Sequence, residues 1–130
     1  MDAVKFYMDE SLLTIDSGAS CLEAARSMSG NKVGCLLVME NGFYTGMVTE
    51  GDLSRRVFAN ELSPADVAVA AIMTEPIVTV ESKTSMAEAF LIMNKRKIRH
   101  VLVTDQGRYV GMLSIKDFAA YYTSKFSQNQ

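Results

Sequence analysis

The chain has 130 residues, 48% of them hydrophobic and 22% charged, with a formal net charge of -2. That length suits one compact domain, or two small repeats that share a core, and the charge supplies no overall field that would gather nucleic acid. No apolar run approaches the roughly 18 residues of a spanning helix, and Asp2, Asp9 and Glu10 stand where a secretion signal would be basic and then apolar, so a cytoplasmic protein is expected.

The first β-prone run covers residues 12–15, too short for a helix and bounded by turn formers. A helix follows, opened by the capping-box pattern Ser20-x-x-Glu23 and carrying Leu22, Ala25 and Met28 at helical spacing. Gly30 stands where a left-handed residue would end it. Two strands come next, residues 35–39 and 44–49, joined across Asn41-Gly42, a strong short hairpin signal. A second helix is expected from Asp52, with Leu53 and Val57 on one face. In residues 60–71, Ser63-Pro64 predicts a short linker helix with proline at its first position.

The same series then recurs. Shifting the chain by 65 residues aligns residues 7–53 with 72–118 without a gap, and sixteen of those 47 pairs are identical. Ordinary residue usage would give roughly three, so the unit is duplicated. Its second copy has a strand at residues 77–80, a box at Ser85-x-x-Glu88, a helix ending in Lys95-Arg96-Lys97, and strands at residues 101–104 and 109–114 across Gln106-Gly107. The last helix carries Phe118, Tyr122 and Phe126, an i, i+4, i+8 stripe. Residues 127–130 have nothing to pack against and should fray. The boundary between copies is placed at residue 65, giving repeats 1–65 and 66–130.

Cys21 and Cys35 show no Cys-x-x-Cys spacing, and His100 is the single histidine, so buried thiols are expected and a metal site is not. The nine methionines fall mostly at core spacing. No carboxylate has the nucleophile, base or oxyanion donor that catalysis needs, so no enzyme is expected.

Two further phrases are paired: Val33-Gly34-Cys35-Leu36-Leu37-Val38 with Ile98-Arg99-His100-Val101-Leu102-Val103, and Thr49-Glu50-Gly51-Asp52 with Ser114-Ile115-Lys116-Asp117. With the step from Met73-Thr74 to Pro76, they resemble the CBS-domain family, and specifically the tandem pair called a Bateman module. The resemblance implies an α/β (α+β) fold of two pseudo-symmetric β-α-β-β-α repeats packed through their sheets. It also implies a regulatory sensor that binds AMP, ADP, ATP, or a relative such as S-adenosylmethionine or NAD, in the cleft between repeats and signals to an effector protein. A CBS pair serving as a dimerising scaffold with an empty cleft is the alternative.

By position, the resemblance assigns the ribose hydroxyls to Asp52 and Asp117, with Thr49 and Ser114 facing ribose or phosphate. Leu13, Val33 and Gly34 would complete the pocket of Asp117, and Val78, Ile98 and Arg99 that of Asp52. Arg99 and His100 stand where members often carry a phosphate-binding residue, whereas Glu50 and Gly51 offer no cation beside the first corner. A carboxylate suits a ribose because it accepts from two adjacent hydroxyls. Thr/Ser-x-x-Asp is equally a helix cap, as at Ser20 and Ser85, and spacing alone does not separate the two roles.

The run from Lys95 to His100 suits a solvated helix end or a phosphate contact; without stacking aromatics it predicts no nucleic-acid partner. The aromatic stripe fits a homodimer through the helices following Asp52 and Asp117, or packing within the chain.

Overall fold

A computed structural model of the chain describes residues 2–128. The polypeptide forms two three-stranded sheets with helices, in a mixed α+β arrangement. The first sheet holds β1 (Thr14–Asp16), β2 (Cys35–Glu40) and β3 (Phe43–Thr49), with α1 (Cys21–Asn31) between β1 and β2. A parallel β1–β2 pair needs such a crossover, whereas the antiparallel β2–β3 pair needs only its turn. After β3 comes α2 (Glu50–Asp52), which continues as a π-helical segment, Leu53–Phe58. The second sheet repeats the pattern with β4 (Thr79–Glu81), α3 (Met86–Arg96), β5 (His100–Asp105), β6 (Arg108–Ser114) and α4 (Ile115–Gln128).

Each hairpin turns as its sequence predicts. Asn41 and Gly42 have φ of 51° and 84°, and Gln106 and Gly107 have 51° and 78°. Positive φ at both central residues matches the twist of the flanking strands. Both hairpins then bulge at the same place, between Val38 and Met39 and between Val103 and Thr104.

The compact units are assembled differently from the sequence copies. One comprises residues 13–77; the other joins the described residues up to 12 with those from 78 onward. The reason lies in two lead-in segments that each hydrogen-bond to a sheet and to a helix start. Thr74 exchanges both backbone hydrogen bonds with Met47 of β3, and Val67 accepts from Cys21 at the start of α1. Likewise Asp9 exchanges both with Met112 of β6, and Asp2 accepts from Met86 at the start of α3. The segment before β1 therefore belongs with the second sheet, and the segment before β4 with the first.

Gly46 and Gly111 are small because these segments press on them. A Cβ at Gly46 would stand 2.9 Å from the Thr74 carbonyl oxygen and 2.7 Å from Met73 Sδ. At Gly111 it would stand 3.0 Å from the Asp9 carbonyl oxygen and 2.5 Å from Met8 Sδ. Gly46→Ala and Gly111→Ala should each cost about 1–3 kcal/mol, since a backbone bridge must shift to admit the methyl. Urea unfolding checks this; an unchanged midpoint in both variants would contradict the close packing.

Each unit has its own buried cluster. Cys21, Ala24, Met28, Leu36, Val38, Val48, Val57, Val69 and Ile72 form one. Val4, Val80, Met86, Ala89, Met93, Val101, Val103, Leu113, Phe118 and Tyr121 form the other. Both cysteines are buried and free, as their spacing suggested. Burial raises both thiols, and Cys35 reaches about 12 with a smaller push from Asp52.

Several local expectations are corrected. Gly30 lies inside α1, and the left-handed residue is Lys32, with φ 55° and ψ 44°. Lys97 does the same after α3. In residues 60–71 the expected short linker helix is present as a 3-10 helix, Pro64–Asp66, with Ser63 before it and proline at its first position; a second 3-10 turn, Val69–Ala71, follows, and Val67 between them is extended and accepts from Cys21. The helices after β3 and β6 start two residues before their aspartates. Ser127 and Gln128 are helical, not frayed, while Asn129 and Gln130 lie outside the described residues. The aromatic stripe also divides. Phe118 is buried, Tyr122 is half-buried, and both rings lie against Phe90 at centroid distances of 5.3 and 6.0 Å. Phe126 alone stays exposed, at 70%.

Candidate functional site

The two Thr/Ser-x-x-Asp corners follow the same backbone path. At the end of β3, Thr49 is extended, with φ -119° and ψ 165°, and its hydroxyl accepts from the Asp52 N–H at 3.2 Å. Asp52 Oδ2 returns the bond by accepting from the Thr49 N–H at 3.0 Å, which completes a reciprocal box. The Gly34 carbonyl takes a further orphan amide, accepting from Glu50 N–H. In the second unit Asp117 Oδ2 accepts from the Ser114 N–H at 2.8 Å and the Ser114 hydroxyl at 3.3 Å, and the Arg99 carbonyl accepts from Ile115 N–H. At Ser20 and Ser85 only the serine side of the box is present: each hydroxyl accepts from the N–H three residues on, at 3.1 Å.

The corners differ in what else reaches the carboxylate. Asp52 is 1% exposed. Thr74 Oγ1 lies 2.9 Å from its Oδ1 and 3.1 Å from its Oδ2, and Arg56 Nε lies 3.7 Å from Oδ1. Arg56 is fixed in turn by donating Nη1 to the carbonyls of Ile72 and Met73. The first corner therefore has the cation that Glu50 and Gly51 did not supply. Asp117 is half-buried, and among the described residues its Oδ1 has no donor.

The strands alongside differ too. His100 pairs with Ser114 across β5 and β6, and both are half-buried. Cross-strand partners face the same side of a sheet, so an imidazole stands beside the second corner. Its counterpart at the first corner is Cys35, paired with Thr49 and 5% exposed. Arg99 is exposed at the head of β5.

The apolar residues assigned to the site are partly buried on the core of their own unit. Leu13 and Val33 pack on the first cluster, and Val78 and Ile98 on the second. The Leu13 and Val78 carbonyls accept from Leu37 and Leu102. The structure thus groups Asp117, Ser114, His100 and Arg99 in one unit and Asp52, Thr49 and Gly34 in the other. Thr74 and Arg56 were missed from sequence. Their counterparts 65 residues away are Asp9 and Tyr121, but 31 of the 47 aligned pairs also differ and residue 56 lies beyond the aligned span, so divergence alone would not have singled them out.

Among the described residues, no group of three or more His, Cys, Asp or Glu could hold a metal ion, and no helix is long and apolar enough to cross a membrane.

The CBS domain profile matches this chain twice, at residues 4–59 and 69–124. The CBS domain-containing protein YhcV of Bacillus subtilis is 28% identical over 127 residues, covering 98% of this chain and 90% of its own length. The Arabidopsis thaliana protein CBSCBSPB3 is 34% identical over 104 residues, 79% of this chain; the match spans only 19% of that longer relative. A solved structure from Burkholderia ambifaria, described as a candidate signal-transduction protein with CBS domains, has a TM-score of 0.85 at 30% identity, over 88% of this chain and 85% of the other.

Proposed function

Because the chain belongs to the CBS-domain family and carries the domain in tandem, we propose that it is a regulatory module that binds an adenosyl ligand and signals to a partner protein. The ligand is an adenine nucleotide, AMP, ADP or ATP, or a relative such as S-adenosylmethionine or NAD. The observation that carries this reading is the carboxylate of Asp117, held at Oδ2 by Ser114 and, among the described residues, open at Oδ1. An ionised carboxylate with unused lone pairs accepts from vicinal ribose hydroxyls through charge-assisted bonds. His100, on the strand beside it, and Arg99, just before that strand, supply donors for phosphate or carboxylate groups of the ligand.

Regulation follows from differential affinity: the ligand shifts a conformational equilibrium only as far as it binds one state more tightly. A homodimer through the helices after Asp52 and Asp117 would rest on Phe58 and Phe126, exposed at 68% and 70%, now that Phe118 is a core residue.

A thermal-shift panel of AMP, ADP, ATP, NAD and S-adenosylmethionine tests the reading. A ligand at 100 times its dissociation constant stabilises the folded state by about 2.7 kcal/mol, a rise of several degrees. A flat response to all five would favour the ligand-free scaffold, a role that the closed Asp52 corner already suits.

A further inference from the structure

We propose that Thr74 and Arg56 close the first corner, so that each chain takes one adenosyl ligand and holds its ribose on Asp117; this rests on the ligand-sensing reading above. A ribose-binding carboxylate must offer lone pairs at its surface. At Asp52 they are taken: Thr49 occupies Oδ2 through its N–H and hydroxyl, and Thr74 reaches both oxygens. Arg56 covers Oδ1 from the following turn. With 1% of Asp52 exposed, a ribose could bind only by displacing Thr74, which is pinned by two backbone hydrogen bonds to Met47, at 2.9 and 2.7 Å.

Both parts of this closure are missing from the second copy. Sixty-five residues from Thr74 stands Asp9, whose backbone makes the same two bonds to Met112, each at 2.9 Å. The backbone is equivalent, but the side chain is an acid with no hydroxyl to donate, and its Oδ1 instead accepts from Ser11 N–H. Sixty-five residues from Arg56 stands Tyr121, whose hydroxyl is turned to Asp2. Two substitutions thus separate a corner that stabilises the fold from one that keeps its carboxylate open. Thr74 acts as an internal stand-in for a ligand hydroxyl.

The equivalence of the lead-in backbones allows the lock to be transplanted. Asp9→Thr places a hydroxyl where Thr74 has one, and Asp9→Asn keeps the Ser11 contact without a hydroxyl. The whole chain and both variants are titrated calorimetrically with AMP, ADP, ATP, NAD and S-adenosylmethionine. The expected result is one ligand per chain, affinity at least tenfold weaker in Asp9→Thr, and affinity within twofold of the parent in Asp9→Asn. Two ligands per chain would overturn the inference alone, as would unchanged affinity in Asp9→Thr. No heat with any of the five would overturn the ligand-sensing reading and this inference with it.

Discussion

Asp52→Ala should destabilise the protein by about 2–4 kcal/mol, because removing a buried acceptor leaves its donors unsatisfied at roughly 1–3 kcal/mol each. The donors are the Thr49 N–H and hydroxyl and the Thr74 hydroxyl, and Arg56 also loses its carboxylate. The loss also unties the lead-in segment at Thr74 from the start of α2. Asp117→Ala should cost only about 1 kcal/mol, the ordinary price of losing a helix-end side-chain bond. Among the described residues its carboxylate serves Ser114 alone. Urea unfolding of both variants without ligand measures the gap. Equal losses would contradict the assignment of Asp52 to the fold.

Ligand affinity should show the reverse order. Each charge-assisted bond from a ribose hydroxyl to Asp117 carries about 1.5–3 kcal/mol. Losing two, with partial compensation by water, weakens binding by about 2–4 kcal/mol, or roughly 30- to 700-fold. Asp117→Asn should fall between, since it keeps one acceptor oxygen without the charge. A small effect on stability together with a large one on affinity is the signature of a binding residue. Asp52 should show the opposite signature.

Much of the fold was legible because the chain states it twice. The glycine turns at Gly42 and Gly107 and the capping serines at Ser20 and Ser85 are local signals, decided by a few neighbouring residues. What the sequence hid depends on residues distant along the chain. Thr74 reaches Asp52 across 22 residues, and the exchange of lead-in segments is visible only once backbone partners are known. The i, i+4, i+8 stripe keeps its three residues within about 80° of one another around the helix, so spacing alone did not show where along α4 the core ends. Phe118, in the first turn of α4, is buried, while Phe126, about two turns further on, is exposed. Gly30 misled because its place in the series suited a helix end, yet α1 continues to Asn31 and the left-handed position falls to Lys32.

The duplicated Asp was legible as a candidate, and its two different surroundings were not. Spacing gives both copies the same Thr/Ser-x-x-Asp pattern. Only the exposure and partners of each carboxylate separate the closed Asp52 from the open Asp117.

The central claim, an adenosyl ligand held through Asp117, is tested most directly by calorimetric titration of the intact chain and of Asp117→Ala with the nucleotide giving the largest thermal shift. Saturable binding in the parent that is weakened by roughly 30-fold or more in the variant is the expected result. Binding of the same affinity in both would contradict the claim.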